Sequence, residues 1–374
     1  MTRRLRMVLA GLAFVTQAAA AAADAPPAIE ALATSLGRAF VANPVHVGLS
    51  IGIIGNGERH TFNFGRTDRR AASAPDESTI YELASVTKSY SGMLIARAVR
   101  DGKLALDDDV RRYLPGTYPG LAYAGRPIRI ADLASHTSGL PKNLPALPHG
   151  ASPRKLIEQG VVTRRKFLQA LRKVRLASAP GSVYAYSNAG AQLAGIVLER
   201  VYGAAYEELV RRFITVPLRM PDTRMTVRPQ DRTRYAQGHD GKGAAMPELS
   251  FWRDLPAAGF LKSTVSDQLH YLQWNLDESD PVVALAHRVE FRHTDERGDD
   301  IGLFWFTNRT ADGRRLIRHA GGSFGTTSFE LLYPDAKIGV VLLANDADAS
   351  TEKALGVMAD QLAGALAAAR GQAK

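Results

Sequence analysis

The chain has 374 residues, 45% of them hydrophobic and 22% charged. That is globular composition, with length enough for two or three domains or for one large core carrying an inserted lobe. It contains no cysteine, so disulfides and a lipid-anchored cysteine are excluded. The formal net charge is +10, three units of it from Arg3, Arg4 and Arg6. With no zinc spacing, recognition motif or basic tail, that surplus does not point to nucleic acid.

In chain order, residues 1–23 read as an export signal. Arg3, Arg4 and Arg6 form a basic start, Met7 to Val15 an apolar core, and Ala18 to Ala23 a small-residue cleavage zone. The apolar stretch is too short to span a membrane. The expectation is a soluble periplasmic protein beginning near Asp24. Pro27 to Phe40 is predicted as a helix, and Val45 to Ile54 as a strand. Asn56-Gly57 reads as a hairpin turn and Arg59 to Gly65 as the partner strand. Two antiparallel strands are not stable alone, so they need further sheet from elsewhere in the chain.

From Leu83 to Ala96 the sequence is apolar or small, and Lys88 is the only charged side chain between Glu82 and Arg97. A helix apolar nearly all round is a buried one, and Asp101-Gly102 supplies its stop. Ser85 would stand at its first turn, near free backbone N–H groups, with Lys88 on the same face. A poorly hydrated lysine amine loses proton affinity and can accept a serine proton. Ser-x-x-Lys alone is weak, expected by chance about once in such a chain. Ser152-Pro-Arg-Lys155 is such an occurrence, in a polar basic stretch.

Asp107-Asp108-Asp109 reads as a helix start rather than a metal site, because it lacks the glycine and distal glutamate of a calcium loop. His136 reads as a hydrogen-bonded structural residue in a turn after the helix beginning at Ile128. The run Arg164 to Arg175 carries Phe167, Leu168, Leu171 and Val174 at helical spacing. It is predicted as an amphipathic surface helix, whose basic face could also draw an anionic wall polymer or membrane surface. Pro180 to Asn188 is a loop that presents Tyr186 and Asn188 two residues apart, before a helix from Ala189 to about Val201. A phenol beside a lysine can relay a proton, and an asparagine can hold both sides of an amide. On its own, though, Tyr-x-Asn reads as a core aromatic and a helix cap.

Strands are predicted at Ile301–Thr307, Arg315–His319, Thr327–Tyr333 and Ile338–Ala344, followed by a helix from Ser350 to Ala368. Glycines in Arg318-His-Ala-Gly-Gly-Ser-Phe-Gly325 would let a ligand lie along a strand edge. Gly321-Gly-Ser-Phe-Gly325 also fits the nucleophile-elbow pattern. That motif needs a following helix and a later histidine, whereas a strand follows here and His319 is the last histidine. The predicted architecture is α/β: an antiparallel sheet from residues 24–75 and 301–374, flanked by helices, with a mostly helical lobe at 76–300.

Taken together, Ser85-Val-Thr-Lys88, Tyr186-Ser-Asn188 and His319-Ala-Gly321 resemble the three motifs of the class C β-lactamase-related serine hydrolases. That family includes penicillin-binding D-alanyl-D-alanine carboxypeptidases and endopeptidases, and esterases. Gly102–Asp107, His136–Pro141, Pro217–Met220 and Ala258–Ser263 add supporting matches. The resemblance implies a β-lactamase/transpeptidase-like fold and no cofactor or metal. It implies Ser85 as acylated nucleophile, Lys88 as its proton acceptor, and Tyr186 as a second acid/base. Asn188, His319, Gly321 and Gly322 would bind substrate, and the N–H groups of Ser85 and Gly322 would form an oxyanion hole. Expected ligands are peptidoglycan peptides or other small acyl substrates, with β-lactams as acylating agents. In relatives with Thr or Ser at the middle position of the third motif, that hydroxyl helps hold a substrate carboxylate; Ala320 offers none. Peptidase, esterase or β-lactamase, and a non-catalytic binding protein all remain open at this point.

Overall fold

A computed structural model of the protein describes residues 27–55, 57–70, 72–147, 152–159, 162–250, 253–293 and 298–372. The expected export signal and Asn56 of the hairpin turn lie outside these residues. Gly57 turns with φ +82° and permits the tight return between the first two strands.

The central sheet has seven strands. They are β1 (Gly48–Gly55), β2 (Glu58–Gly65), β3 (Asp300–Ile301), β4 (Phe306–Arg309), β5 (Arg315–Gly322), β6 (Thr327–Tyr333) and β7 (Ile338–Ala344). Their order is β2-β1-β7-β6-β5-β4-β3, and every neighbouring pair is antiparallel. The early hairpin is completed by the end of the chain: Leu49 pairs with Ala344 and Ile54 with Gly339. β1, β6 and β7 are buried along their whole length, because both faces of the sheet are covered.

One face is covered by α1 (Pro27–Ala42) and a long C-terminal helix. Ile29, Ala33, Gly37 and Phe40, spaced three or four apart, are the residues of α1 that reach the core. The other face meets α2 (Thr87–Arg100), α3 (Asn188–Tyr202) and α4 (Val265–Asn275), together with short helical segments. The C-terminal helix is α5 (Thr351–Gln372), which buries Leu355, Met358, Leu362 and Leu366 against the sheet.

The predicted strand Ile301–Thr307 is two short strands separated by an irregular stretch. Leu303, Phe304 and Trp305 are all fully buried in succession, which a strand with alternating faces does not do, and Phe304 takes φ +61°. The short helix predicted from Ile128 begins at Ile130. Asp109 accepts from the Arg111 amide at the start of the 3-10 turn Val110–Tyr113. No group of acidic or histidine residues able to hold a metal occurs among the described residues. Phe167 and Leu171 form the buried side of the basic helix Arg164–Leu171. No helix among the described residues is long and apolar enough to cross a membrane.

Candidate active site

Ser85 sits in the 3-10 turn Ala84–Val86 that leads into α2, one step ahead of the α-helix proper. Ala84 takes φ +46° to make that turn. Lys88, fully buried on the first turn of α2, brings its Nζ to 3.0 Å from Ser85 Oγ. It also donates to the carbonyl of Ala258. Burial drives its pKa well below the ordinary lysine value, and the exposed Lys142 nearby adds a smaller push in the same direction. The Ser-x-x-Lys at Ser152 is different. Ser152 Oγ accepts from the Lys155 backbone N–H at 3.3 Å, a helix start with an exposed lysine.

Tyr186 reaches the same serine from the other side, its hydroxyl donating to Ser85 Oγ at 2.8 Å. Lys88 Nζ lies 4.9 Å from the centre of the Tyr186 ring. Loss of hydration raises the phenol's pKa, so the hydroxyl keeps its proton; the Ser85 hydrogen bond opposes this, and the charge of Glu352 adds to it. Beneath the loop, the buried His136 stands 4.5 Å from the Tyr186 ring, and its Nδ1 accepts from the Ser187 N–H at 3.2 Å. Ser187 caps α3 by accepting from the Gly190 N–H. Asn188 is therefore the first residue of α3. Its side-chain N–H group donates to Asn143 Oδ1 at 2.9 Å, and its backbone N–H donates to the Lys142 carbonyl.

The third stretch is the end of β5. Its pairing with β4 stops at Arg318, so the edge beyond is open. Ser323 N–H donates to the Thr326 carbonyl at 2.9 Å. By the alternation of an antiparallel ladder, the N–H of Gly322 then points away from β6, toward that open edge. Gly321 is where the strand passes closest to the serine: a Cβ there would lie 2.4 Å from the Leu83 carbonyl and 3.0 Å from the Ser85 nitrogen. His319 is buried, and its Nδ1 stands 2.7 Å from the Ala320 carbonyl, which can only accept. The proton is therefore on Nδ1, and Nε2 presents a lone pair that no described residue uses. Burial, with Lys88 as a smaller cause, pushes the imidazole pKa down to about 3.

These groups line one cleft of about 560 Å³, within the ordinary size of a small-molecule site. It brings together Ser85, Tyr186, Asn188, His319 and Gly322, with Lys88 beneath the serine and Gly321 at the strand's closest approach. Sequence reasoning missed Asn143, the Ala258 carbonyl as a lysine acceptor, and Glu352 on the first turn of α5, which also lines the cleft.

The family model described as "Beta-lactamase" matches residues 35–365. The chain belongs to the beta-lactamase family. Among curated relatives, it is 28% identical over 309 residues to "Protein flp" of Staphylococcus aureus (strain N315). That match covers 80% of this chain and 59% of the relative, so the chain spans well under two thirds of that protein's length. It is 26% identical over 311 residues to the D-alanyl-D-alanine-carboxypeptidase/endopeptidase AmpH of Escherichia coli (strain K12), covering 79% of this chain and 78% of the relative. Among solved structures, a beta-lactamase/D-alanine carboxypeptidase from Yersinia pestis superposes with TM-score 0.78 at 25% identity. It covers 90% of this chain and 98% of that one. A class C beta-lactamase superposes with TM-score 0.75 at 20% identity, over 90% and 95% of the two chains, and so shares the fold. The beta-lactamase/transpeptidase-like fold and the class C-related family expected from the motifs are both met.

Proposed function

We propose that this protein is an exported, periplasmic serine hydrolase that works through an acyl-enzyme on Ser85. The substrates proposed are D-alanyl peptides of peptidoglycan, as for a penicillin-binding D-alanyl-D-alanine carboxypeptidase/endopeptidase. The observation that carries the reading is the meeting at Ser85 Oγ of a buried lysine amine at 3.0 Å and a phenol at 2.8 Å. Similarity to a relative named as a carboxypeptidase/endopeptidase supports the substrate class, and the N-terminal pattern supports export.

In this mechanism Ser85 Oγ bonds to the substrate carbonyl carbon as its proton passes to the neutral Lys88 amine. The C–N bond to the leaving group then breaks, and the departing nitrogen takes a proton from Tyr186, which is resupplied from Lys88. Water enters by the reverse path and releases the acid. The N–H groups of Ser85 and Gly322 stabilise the oxyanion, each such donor being worth about 3–4 kcal/mol in the transition state. Asn188, already held by Asn143, orients the amide on the acyl side. No metal or cofactor takes part in these steps.

The test is covalent labelling read by mass spectrometry, using a labelled penicillin and, in parallel, p-nitrophenyl acetate, a small neutral ester. Label is expected on the peptide containing Ser85. Ser85→Ala should abolish labelling while leaving the fold intact, since it removes one hydroxyl. Lys88→Ala should slow acylation by about 10²–10⁴-fold. Full labelling of the Ser85→Ala protein moves the nucleophile elsewhere and ends the proposal. Digestion of muropeptides separates the peptidase from an esterase or β-lactamase.

A further inference from the structure

The end of the cleft between β5 and α5 carries an unusual balance of polar groups. Glu352, exposed on the first turn of α5, lines the cleft, and one of its carboxylate oxygens lies 4.0 Å from where a Gly322 Cβ would stand. It has no salt-bridge partner among the described residues. The adjacent Lys353 does not neutralise it, because that side chain lines a separate groove with Leu36 and Phe40 of α1. Placed in the first turn, the carboxylate also offsets the positive end of α5, which would otherwise draw an anion to this spot.

At this end of the cleft the groups able to hold an anion are already engaged; the exposed Lys142 lines the cleft beside Asn188 instead, where its carbonyl accepts from the Asn188 N–H. Arg318 donates to Asp299 at 2.7 Å. Ser323 Oγ donates to Glu82 at 3.1 Å and accepts from the N–H groups of Gly325 and Thr326. Thr326 Oγ1 is bonded to Ser323 Oγ and reaches the Glu82 carbonyl. Ala320 has only a methyl group. The buried His319 gives its one proton to the Ala320 carbonyl and so donates none to the site. The free, exposed side-chain function at this end is the Glu352 carboxylate, an acceptor, and the buried His319 Nε2 adds no donor.

We infer that this end of the cleft selects leaving groups bearing N–H donors or positive charge, a carboxamide or an ammonium, and disfavours a free carboxylate, with Glu352 as the specificity-determining residue. The inference rests on the Ser85 acyl-enzyme reading and narrows it. Amidated peptide ends become better substrates than free-acid peptide termini.

A matched pair tests it: an N-acylated D-alanyl-D-alanine peptide and its C-terminal carboxamide. The wild-type protein should favour the carboxamide in kcat/KM. Glu352→Gln should raise kcat/KM for the free acid about three- to tenfold and lower it for the carboxamide, whose N–H loses a charged acceptor, and Glu352→Lys should go further in both directions. The gain should shrink as salt rises, since the carboxylate is exposed. Binding of both peptides to Ser85→Ala and to Ser85→Ala/Glu352→Gln gives the same comparison without turnover. Acid-to-carboxamide ratios unmoved by both Glu352 variants overturn the assignment. If p-nitrophenyl acetate still labels Ser85, only the Glu352 assignment falls. If Ser85 is not labelled but the binding ratio shifts as expected, Glu352 stands as the selector and the catalytic reading falls.

Discussion

Lys88 has a carbonyl and a hydroxyl as its hydrogen-bond partners, and burial sets its proton balance. The sign follows directly. A lysine pKa lowered by desolvation puts the neutral, proton-accepting amine in the majority at a pH where an ordinary lysine is still charged. Tyr186 is shifted the other way and holds its proton beyond the ordinary phenol range. The acylation rate should therefore rise with pH through the lowered Lys88 pKa, stay flat, and fall only above about pH 10. His319, held near 3, should contribute no step between about pH 5 and 8. A pH–rate profile with the neutral ester, together with NMR titration of the imidazole, checks both; an inflection near 6.5 that disappears in His319→Asn would contradict the neutral assignment. At this scale the sequence was informative where a single residue stood out from its surroundings. Lys88 did so by being the only charge in a long apolar run. Asn143 and Glu352 did not, since each looks like any surface polar residue until the fold carries it to the cleft, and the Ala258 acceptor is a backbone atom.

At the scale of elements, the site depends on how closely the end of β5 approaches the turn before α2. Gly321 and Gly322 are neighbours with opposite tolerances. A Cβ on Gly321 would fall 2.4 Å from both the Leu83 carbonyl and Ser328 Oγ, whereas one on Gly322 would meet only Glu352, at 4.0 Å. Ser328 Oγ donates to that same Leu83 carbonyl, so neither neighbour can simply move aside. Gly321→Ala should cost about 1–3 kcal/mol of stability by overpacking and push the strand away from Ser85, slowing acylation. Gly322→Ala should leave stability within about 0.5 kcal/mol of wild type. Urea unfolding of the two variants makes the comparison; equal losses would mean the strand end is loose. The glycine pair was visible in the sequence as a strand-edge feature, but which of the two makes the close approach was not. The β6 and β7 segments were legible as apolar runs bounded by turn residues. Ile301–Thr307 misled because its apolar residues plug a core instead of alternating across a sheet. Leu303 lies so near α2 that a Cβ on Gly92 would fall 1.9 Å from its carbonyl oxygen.

For the whole molecule, the unpaired early hairpin required more sheet, and the late strands were the available source; the strand order and register were not readable, because local pattern carries no record of which neighbour a strand finds. The two chain ends and the helical middle do not have separate interiors. Ile54 of β1, Ile317 of β5 and Val341 and Leu343 of β7 belong to one apolar cluster with Leu94 of α2, Leu193 of α3 and Phe167 of the basic helix. Among the described residues, the layer beneath α1 and α5 forms a second cluster, on the opposite face of the same strands. Removing the helical lobe would expose a sheet face built of large aliphatic side chains, at a cost of about 25 cal/mol per Å² of apolar surface. The lobe at 76–300 and the sheet should therefore unfold together although the sequence separates them. Trp305, fully buried in the cluster shared by sheet and lobe, reports on their junction. In a Trp252→Phe/Trp274→Phe variant that keeps Trp305 as its one tryptophan, far-UV circular dichroism, dominated by the helices, and tryptophan fluorescence should give coincident urea transitions. Helical signal lost at lower urea, with the fluorescence still native, would mean that the lobe melts independently and that the shared cluster does not couple the two parts.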